Sequence, residues 1–219
     1  MLAEKILKEL NNAPCPEMAI PEIKELCKQE IYKTENKKSG NGKIESYAKK
    51  IVKNAKYHGN RALQYATTVN GKQYFCDGHR ILRLDNPISF EELPDDIPPL
   101  NYEKMWVNYP EREYTLDIDF KDAISAYKVA KAESDKKDNI VYSFGILDSD
   151  TFYLINAEYF TDFLKVDTDI RIFKDVGRFA PLIITNSVGH ELLVLPVKPI
   201  EGKEYNIGVH NLNTGKYYG

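Results

Sequence analysis

The sequence lacks the features that would mark a secreted, membrane or zinc-binding protein. Only three of its 219 residues are cysteine, an odd number without the paired spacing of a metal or redox site. Cys15, Cys27 and Cys76 are therefore predicted to be reduced thiols in a cytoplasmic protein. No apolar run approaches the roughly 20 residues that a membrane-spanning helix needs. The N-terminus also lacks the apolar region of a signal peptide, so no membrane partner is expected.

The common catalytic motifs are absent as well. There is no glycine-rich phosphate loop, no His-Glu-x-x-His and no Gly-x-Ser-x-Gly. His79 follows Asp77 at a turn, where a structural role is favoured, and Asp119 is better interpreted as a helix cap than as half of a metal-binding pair with Asp117. We predict no catalytic residue, metal or cofactor. The alternative, a small hydrolase using these side chains, predicts stoichiometric binding of a divalent metal.

The residues that are present describe a soluble globular chain. Hydrophobic residues make up 42% of it and charged residues 29%, which is enough to bury the core of one large or two small domains. The net charge of −3 predicts no bulk attraction to nucleic acid. DNA binding would therefore require positive charge to be gathered on one surface.

The first half of the chain alternates between helical and strand patterns. Residues 1–40 show two amphipathic helices, and the polar run Lys33 to Gly42 is interpreted as a linker. A third helix is predicted from Glu45 to His58. Strands follow at Ala62 to Val69, at Gln73 to Cys76 and at Ile81 to Leu84. Asn70-Gly71 between the first two is a strong hairpin signal.

The second half continues the mixture without strict alternation. Tyr114 to Asp117 is a predicted strand, and Asp119 caps a helix that runs to about Lys131. A hairpin then covers 140–155, and Asn156 caps a short helix to Leu164. The last strands are predicted at Asp169 to Phe173, Pro181 to Ile184 and Leu192 to Val197, with a further hairpin around 213–215. This order favours an α+β fold with antiparallel sheets and helices on one face.

Several lysines fall on the outward faces of these helices. Such a face is often merely solvated, but helices that share one side of a sheet can combine their charges into a surface for phosphates. The candidate DNA-binding residues are Lys49, Lys50, Lys53, Lys56, Lys121, Lys128 and Lys131.

Three stretches together resemble the bacterial DNA sliding clamp, the β subunit of DNA polymerase III. "VNGKQYFCDGHRILRL" (69–84) is similar to the clamp segment that ends in Thr-Asp-Gly-His-Arg-Leu. Residues 93–131 resemble the clamp's interdomain connector. Residues 155–199 resemble its last half-domain, which closes on a Met-Pro-Met-Arg-like ending. The resemblance implies a DNA-clamp-like fold and a hydrophobic pocket for short linear peptides of replication or repair proteins. The matching residues are Gly78, His79, Arg80, Ile81, Leu193, Leu195, Pro196 and Val197. The pocket would be floored by leucine and proline and rimmed by histidine and arginine, unless Leu193 and Leu195 simply point into the core.

The chain departs from the clamp pattern in composition and length. Cys76 stands where the family usually has threonine, and Leu195 where it often has methionine. We divide the chain into an N-terminal helical segment and linker (1–42), a clamp-like half (43–110), a clamp-like domain (111–199) and a tail (200–219). Such a shortened clamp could close a ring around duplex DNA as a homo-oligomer, in a host or a mobile element. The alternative is a peptide-binding module that keeps the fold without encircling DNA.

Overall fold

The computed structural model describes residues 2–56, 59–106, 112–114, 120–145, 152–174 and 180–219. Predictions that concern His58, Asp117, Asp119 and Thr151 lie outside these residues. The α-helices in the described part are α1 (Leu2–Asn12), α2 (Ile20–Lys38), α3 (Gly42–Ala55), α4 (Tyr102–Met105), α5 (Phe120–Glu133) and α6 (Ala157–Leu164).

The described strands form two antiparallel sheets. Their order is β1-β2-β3-β9-β8-β7-β4 in the first sheet and β11-β10-β5-β6 in the second. The bounds are β1 Thr67–Val69, β2 Lys72–Cys76, β3 Arg80–Leu84, β4 Arg112–Tyr114, β5 Ile140–Gly145, β6 Phe152–Asn156, β7 Ile170–Lys174, β8 Leu182–Asn186, β9 His190–Val194, β10 Gly208–Asn211 and β11 Tyr217–Tyr218. The predicted α+β class with antiparallel sheets is confirmed.

Strict alternation along the strands gives the first sheet two apolar faces. The core face packs against α3, α6 and the second sheet, and its members in the central strands are Phe75, Leu82, Leu84, Ile184, Leu192 and Val194. The opposite face, which we call the connector face, carries Tyr74, Cys76, Ile81, Ile183 and Leu193. Burial on both faces explains why β3 is buried at all five positions.

The central pairing of the first sheet joins distant parts of the chain. Ile81 of β3 lies opposite Leu193 of β9, so strands from both predicted clamp-like units share one sheet. The domain boundaries remain predictions.

The predicted linker at Lys33 to Gly42 is wrong for most of its length. Helix α2 continues to Lys38, because lysine and glutamate are good helix formers and the polar run is the exposed surface of a helix. Asn36 fixes this end of α2. Its side chain is 1% exposed, and it donates to the Ser89 carbonyl at 2.8 Å and accepts from the Ser89 amide at 3.0 Å.

Local turn chemistry accounts for the hairpin and corrects the strand before it. Asn70 and Gly71 both have positive φ, at 50° and 77°, as a two-residue hairpin turn requires. The strand predicted from Ala62 begins later, because Arg61–Gln64 form a 3-10 turn. The side-chain oxygen of Asn60 accepts from the Ala62 amide at 3.0 Å and holds that turn.

The hairpin and cap predicted after residue 140 are confirmed. Strands β5 and β6 pair as a hairpin, and Asn156 caps α6 by accepting from the Glu158 amide at 2.9 Å. The predicted hairpin in the tail corresponds to β10 and β11, which complete the second sheet. The last predicted strand is displaced towards the N-terminus, because β9 runs from His190 to Val194 and Pro196, which has no amide hydrogen, ends the pairing after Leu195.

Candidate functional site

The turn between β2 and β3 is built on the carboxylate of Asp77. Its Oδ1 accepts from the backbone amides of His79 and Arg80, each at 3.1 Å, and Gly78 provides the positive φ of 88° that the turn needs. The Gly78 amide also donates to Cys76 Sγ at 3.3 Å. The sequence Cys-Asp-Gly-His-Arg is therefore a self-supporting turn that fixes where β3 begins.

Arg80 lies inside the protein, so the prediction that it rims a peptide groove is wrong. The residue is 2% exposed, and its Nε donates to Asp77 Oδ2 at 2.9 Å. Its guanidinium lies 3.9 Å from the ring centre of Tyr159 on α6 and donates to the Tyr47 hydroxyl of α3 at 3.3 Å. Burial alone would lower the pKa of Arg80, but Tyr47 and Asp77 raise it above its ordinary value. Strand alternation explains the difference, since Arg80 points to the core face and its neighbours point away.

The connector face carries a row of cross-strand pairs between β3 and β9. At the turn end, Leu195 donates its amide to the His79 carbonyl at 2.9 Å, and both residues are exposed. The next pair, Ile81 with Leu193, is buried. The last pair is the salt bridge between Arg83 and Glu191. Of the predicted peptide-binding residues, Ile81 and Leu193 thus share the connector face, and the backbones of His79 and Leu195 extend the same pairing at its turn end.

Part of this surface is covered by the chain itself. Residues 94–106, which we call the connector, cross it and place Tyr102 and Trp106 against the cluster that contains Ile81 and Leu193. Tyr102 stacks on Tyr74 with ring centres 5.0 Å apart and planes at 7°. The Arg83 guanidinium lies over the Trp106 ring, 4.3 Å from the ring centre. Ile81 and Leu193 therefore do point into an apolar cluster, and only the His79–Leu195 end of the row is open.

Pro196 and Val197 leave this surface. Val197 donates its amide to the Leu154 carbonyl at 2.7 Å and packs with the apolar residues on the far side of the second sheet. Pro196 is half-buried at the crossing point. Both residues follow Leu195 in the chain, but Val197 belongs to the second sheet. Gly78, the remaining predicted residue, contributes only its backbone conformation to the turn.

The lysines of α3 divide between two sides of the helix. Lys49, Lys53 and Lys56 line a cleft of about 410 Å³ between α3 and α2. Glu25 of α2 lines the same cleft, and Lys49 forms a salt bridge with Glu45 on its own helix. We call these three predicted DNA-binding lysines the α3 stripe, and it faces α2.

The other lysines meet on the opposite side of α3. Lys50 and Lys165 line two adjoining depressions of about 240 and 330 Å³ between α3, α5 and α6. We call this surface the lysine groove, and it contains Lys43, Lys50, Lys128, Lys131 and Lys165. Its acidic residues are Glu158 and Asp162. Lys121 is exposed on α5 outside the groove.

Asp162 is the electrostatic centre of the lysine groove. Its side chain is 5% exposed and accepts from Lys50 at 2.7 Å and from Lys165 at 2.8 Å. Burial raises the pKa of this carboxyl, but the hydrogen bonds and charges of Lys165 and Lys50 outweigh burial and hold the pKa below its ordinary value. The groove is thus preorganised around a buried carboxylate, with lysine charges on its rim.

This depressed pKa predicts a contribution to acid sensitivity. A carboxyl whose pKa is lower in the folded state stabilises the protein above its ordinary pKa, and that stabilisation is lost as the pH falls through the folded-state value. We expect the free energy of unfolding to fall below about pH 4, and Asp162→Asn to remove part of that dependence. Denaturant titrations of both proteins between pH 7 and pH 3 measure it. Parallel pH profiles for the two would contradict the assignment.

Sequence reasoning missed two lysines of the groove. Lys43 lies in the first turn of α3, and Lys165 follows α6 directly. The available signal was the spacing of Lys165 three residues after Asp162, which places the two on one side of a helical turn. Lys43 had no such local signal.

Within the described residues, no cluster of three or more histidine, cysteine, aspartate or glutamate side chains could hold a metal ion. The same residues include no helix with the length and apolar character to cross a membrane. Asp77, which the hydrolase alternative requires, is fully buried and paired with Arg80.

No protein-family model and no curated protein sequence matches this chain. Among solved structures, it is similar to a DNA polymerase sliding clamp from Pseudomonas aeruginosa, with a TM-score of 0.44, 12% identity, and coverage of 62% of this chain and 57% of the clamp. The DNA polymerase III subunit beta from the same organism gives a TM-score of 0.36 and 12% identity. The beta clamp of Helicobacter pylori gives a TM-score of 0.37 and 14% identity. The comparisons with the subunit beta and with the Helicobacter pylori clamp each cover 58% of this chain and 42% of the clamp. The chain thus spans about half the length of these clamps, and the similarity is one of fold.

Proposed function

We propose that this chain is a non-enzymatic, clamp-like protein of DNA replication or repair that holds the DNA backbone at the lysine groove. The observation that supports this best is the convergence of lysines from α3, α5 and α6 on one surface. Two carboxylates oppose five lysines there, whereas the whole chain has a net charge of −3. The positive charge is therefore segregated, as phosphate binding requires.

The groove suits contact with the backbone and not with bases. Lysine ammonium groups are compact point charges on flexible stems and accept many phosphate positions. Contacts of this kind carry no sequence information. Binding at this surface is therefore nonspecific and weakens steeply with salt.

The proposal predicts which lysines matter. The double variant Lys43→Glu/Lys128→Glu reverses two rim charges and leaves Lys50 and Lys165 in place to hold Asp162. We expect its affinity for a duplex oligonucleotide to fall by at least tenfold at low salt, and the slope of log affinity against log salt to fall by about two, since each lost phosphate contact removes about 0.9. Fluorescence anisotropy across a salt series measures both.

Lys53→Glu/Lys56→Glu is the matched control, with the same charge change on the side of α3 that faces α2. We expect it to retain most of the affinity. A larger loss of affinity in the control would indicate that DNA binds in the cleft beside α2, along the α3 stripe. Affinity unchanged in both variants would remove the electrostatic proposal.

The second candidate is a peptide-binding module that does not encircle DNA. The exposed end of the connector face favours it, because Leu195 is 45% exposed beside His79. An apolar side chain next to a polar turn suits the anchor of a short linear peptide.

Molar mass in solution separates the two candidates. Light scattering that gives about three times the chain mass of 25.2 kDa or more supports a closed ring around DNA. A monomer at high concentration supports the module.

A further inference from the structure

We propose that the connector is an internal ligand of the peptide surface, and that an external peptide with two large apolar anchors at the same spacing replaces it. The inference rests on the peptide-surface part of the proposed function. It concerns what the surface recognises and how access to it is controlled. The connector sits on two of the residues for which the resemblance to the sliding clamp predicts peptide binding, namely Ile81 and Leu193.

Two aromatic side chains attach the connector to the sheet. Tyr102 is 1% exposed and Trp106 is 7% exposed, and they are four residues apart around the short helix α4. Residues at this spacing point to one side of a helical turn, so both rings reach the connector face together. This is the arrangement of a docked helical peptide with two anchors.

Backbone hydrogen bonds do not tie the connector to the sheet. Within the described residues, the bonds made by the backbone amides of 94–106 stay inside that segment, for example from Trp106 to the Tyr102 carbonyl at 2.9 Å. The cap of α4 is also internal, since Asn101 Oδ1 accepts from the Lys104 amide at 3.0 Å. Side chains therefore supply the attachment, and another segment can take over those contacts without breaking a strand pairing.

The fit of Trp106 is incomplete. Its indole Nε1 is buried and has no hydrogen-bond partner among the described residues. A buried donor without a partner weakens a contact, so the connector binds this face less tightly than its apolar area allows. A peptide whose second anchor is phenylalanine or leucine has no such cost. The ligand class is thus a short peptide with two large apolar side chains four residues apart in a helical turn.

The test uses a fluorescein-labelled peptide copied from residues 99–106, Pro-Leu-Asn-Tyr-Glu-Lys-Met-Trp, added to the full chain. Trp106→Ala vacates the second anchor site. We expect this variant to bind the peptide at least about tenfold more tightly than the unmodified protein. The reason is that the apparent affinity is proportional to the fraction of molecules in which the site is open. Met105→Ala is the matched control, since Met105 lies on the same helix and is 46% exposed. It should bind as the unmodified protein does. Cooperative thermal unfolding of each variant confirms that it is folded.

The outcomes separate the inference from the function beneath it. Equal affinity for Trp106→Ala and the unmodified protein overturns the internal ligand and leaves the peptide surface standing. No binding of the peptide to Trp106→Ala overturns the peptide surface itself.

Cys76 provides an independent readout under the connector. The thiol is 6% exposed within the same cluster, and burial raises its pKa to about 11, so it should react slowly with thiol reagents. In a background with Cys15→Ser and Cys27→Ser, we expect Trp106→Ala to increase the reaction rate of Cys76 at least tenfold and the peptide to slow it again. A rate that Trp106→Ala leaves unchanged would contradict displacement of the connector.

Discussion

Asp77→Ala is expected to lower the free energy of unfolding by about 3–5 kcal/mol, the usual cost of removing one partner from a buried ion pair. The carboxylate is fully buried and meets the Arg80 guanidinium at 2.9 Å. Without the carboxylate, Arg80 remains a buried charge. Its remaining contacts in the described part of the chain are the Tyr47 hydroxyl and the faces of two tyrosine rings. The turn also loses the acceptor for the His79 and Arg80 amides. Urea denaturation at pH 7 measures the difference.

Two further variants separate the charge from the turn. Asp77→Asn keeps an oxygen that can accept the two backbone amides and removes only the charge, so it should cost less than alanine. Arg80→Met combined with Asp77→Asn removes the ion pair as a whole, and it should recover part of the stability because a well-packed apolar replacement is often neutral. If Asp77→Ala changed the stability by less than 1 kcal/mol, Arg80 would have to be reached by water.

Phe160→Ala is the second change with a large expected effect, about 3–5 kcal/mol. Phe160 of α6 is fully buried, and its ring centre lies 5.1 Å from Tyr142 and 5.2 Å from Phe144, both on β5. The substitution removes the transfer energy of the ring and leaves a cavity between α6 and the second sheet. Since α6 also carries Asp162, the lysine groove should lose its fixed shape, and the DNA affinity of the variant should fall.

Phe152→Ala is the control for this prediction. Phe152 is half-buried on the far side of the second sheet, so its loss should cost less and should leave the groove intact. Thermal unfolding and DNA anisotropy measured on both variants test the pair. Equal destabilisation by the two would show that the contact between α6 and β5 is not the main support of the core.

The elements that the sequence predicted well have their determinants close by in the chain. Asn70-Gly71 specifies a hairpin because its two residues tolerate positive φ, and Asn156 specifies a helix start because its side chain reaches the next turn. The strand predicted at Ile81 to Leu84 likewise follows from its own apolar residues and corresponds to β3. These signals do not depend on the rest of the fold.

The errors come from contacts between distant residues. The polar run at the end of α2 became a helix fixed by Asn36, whose partner Ser89 belongs to a different part of the chain. The burial of Arg80 depends on Tyr47 and Tyr159, and the covering of Ile81 depends on where the connector crosses the sheet. A short window of sequence around Asn36 does not contain Ser89, and one around Arg80 does not contain Tyr47 or Tyr159.

The lysines show the same limit for the candidate site. Helical spacing correctly separated Lys49, Lys53 and Lys56 from the apolar side of α3, but it did not show what each side of the helix faces. The structure places that set opposite α2 and places Lys50 with Lys165 of α6. Neighbouring helices therefore decide which lysines share a surface.

The pairing of β3 with β9 also constrains the order in which this protein can fold. Arg80 pairs with Val194 and Leu84 with His190, so the centre of the larger sheet closes a loop that contains almost half of the chain. Such long-range pairing slows folding, because the entropy of loop closure must be lost before the contacts form. During synthesis, β3 leaves the ribosome together with β1 and β2 and long before β9. Until β9 is made, one edge of β3 is apolar and unpaired. The nascent first half is therefore the species most exposed to aggregation and most dependent on chaperones.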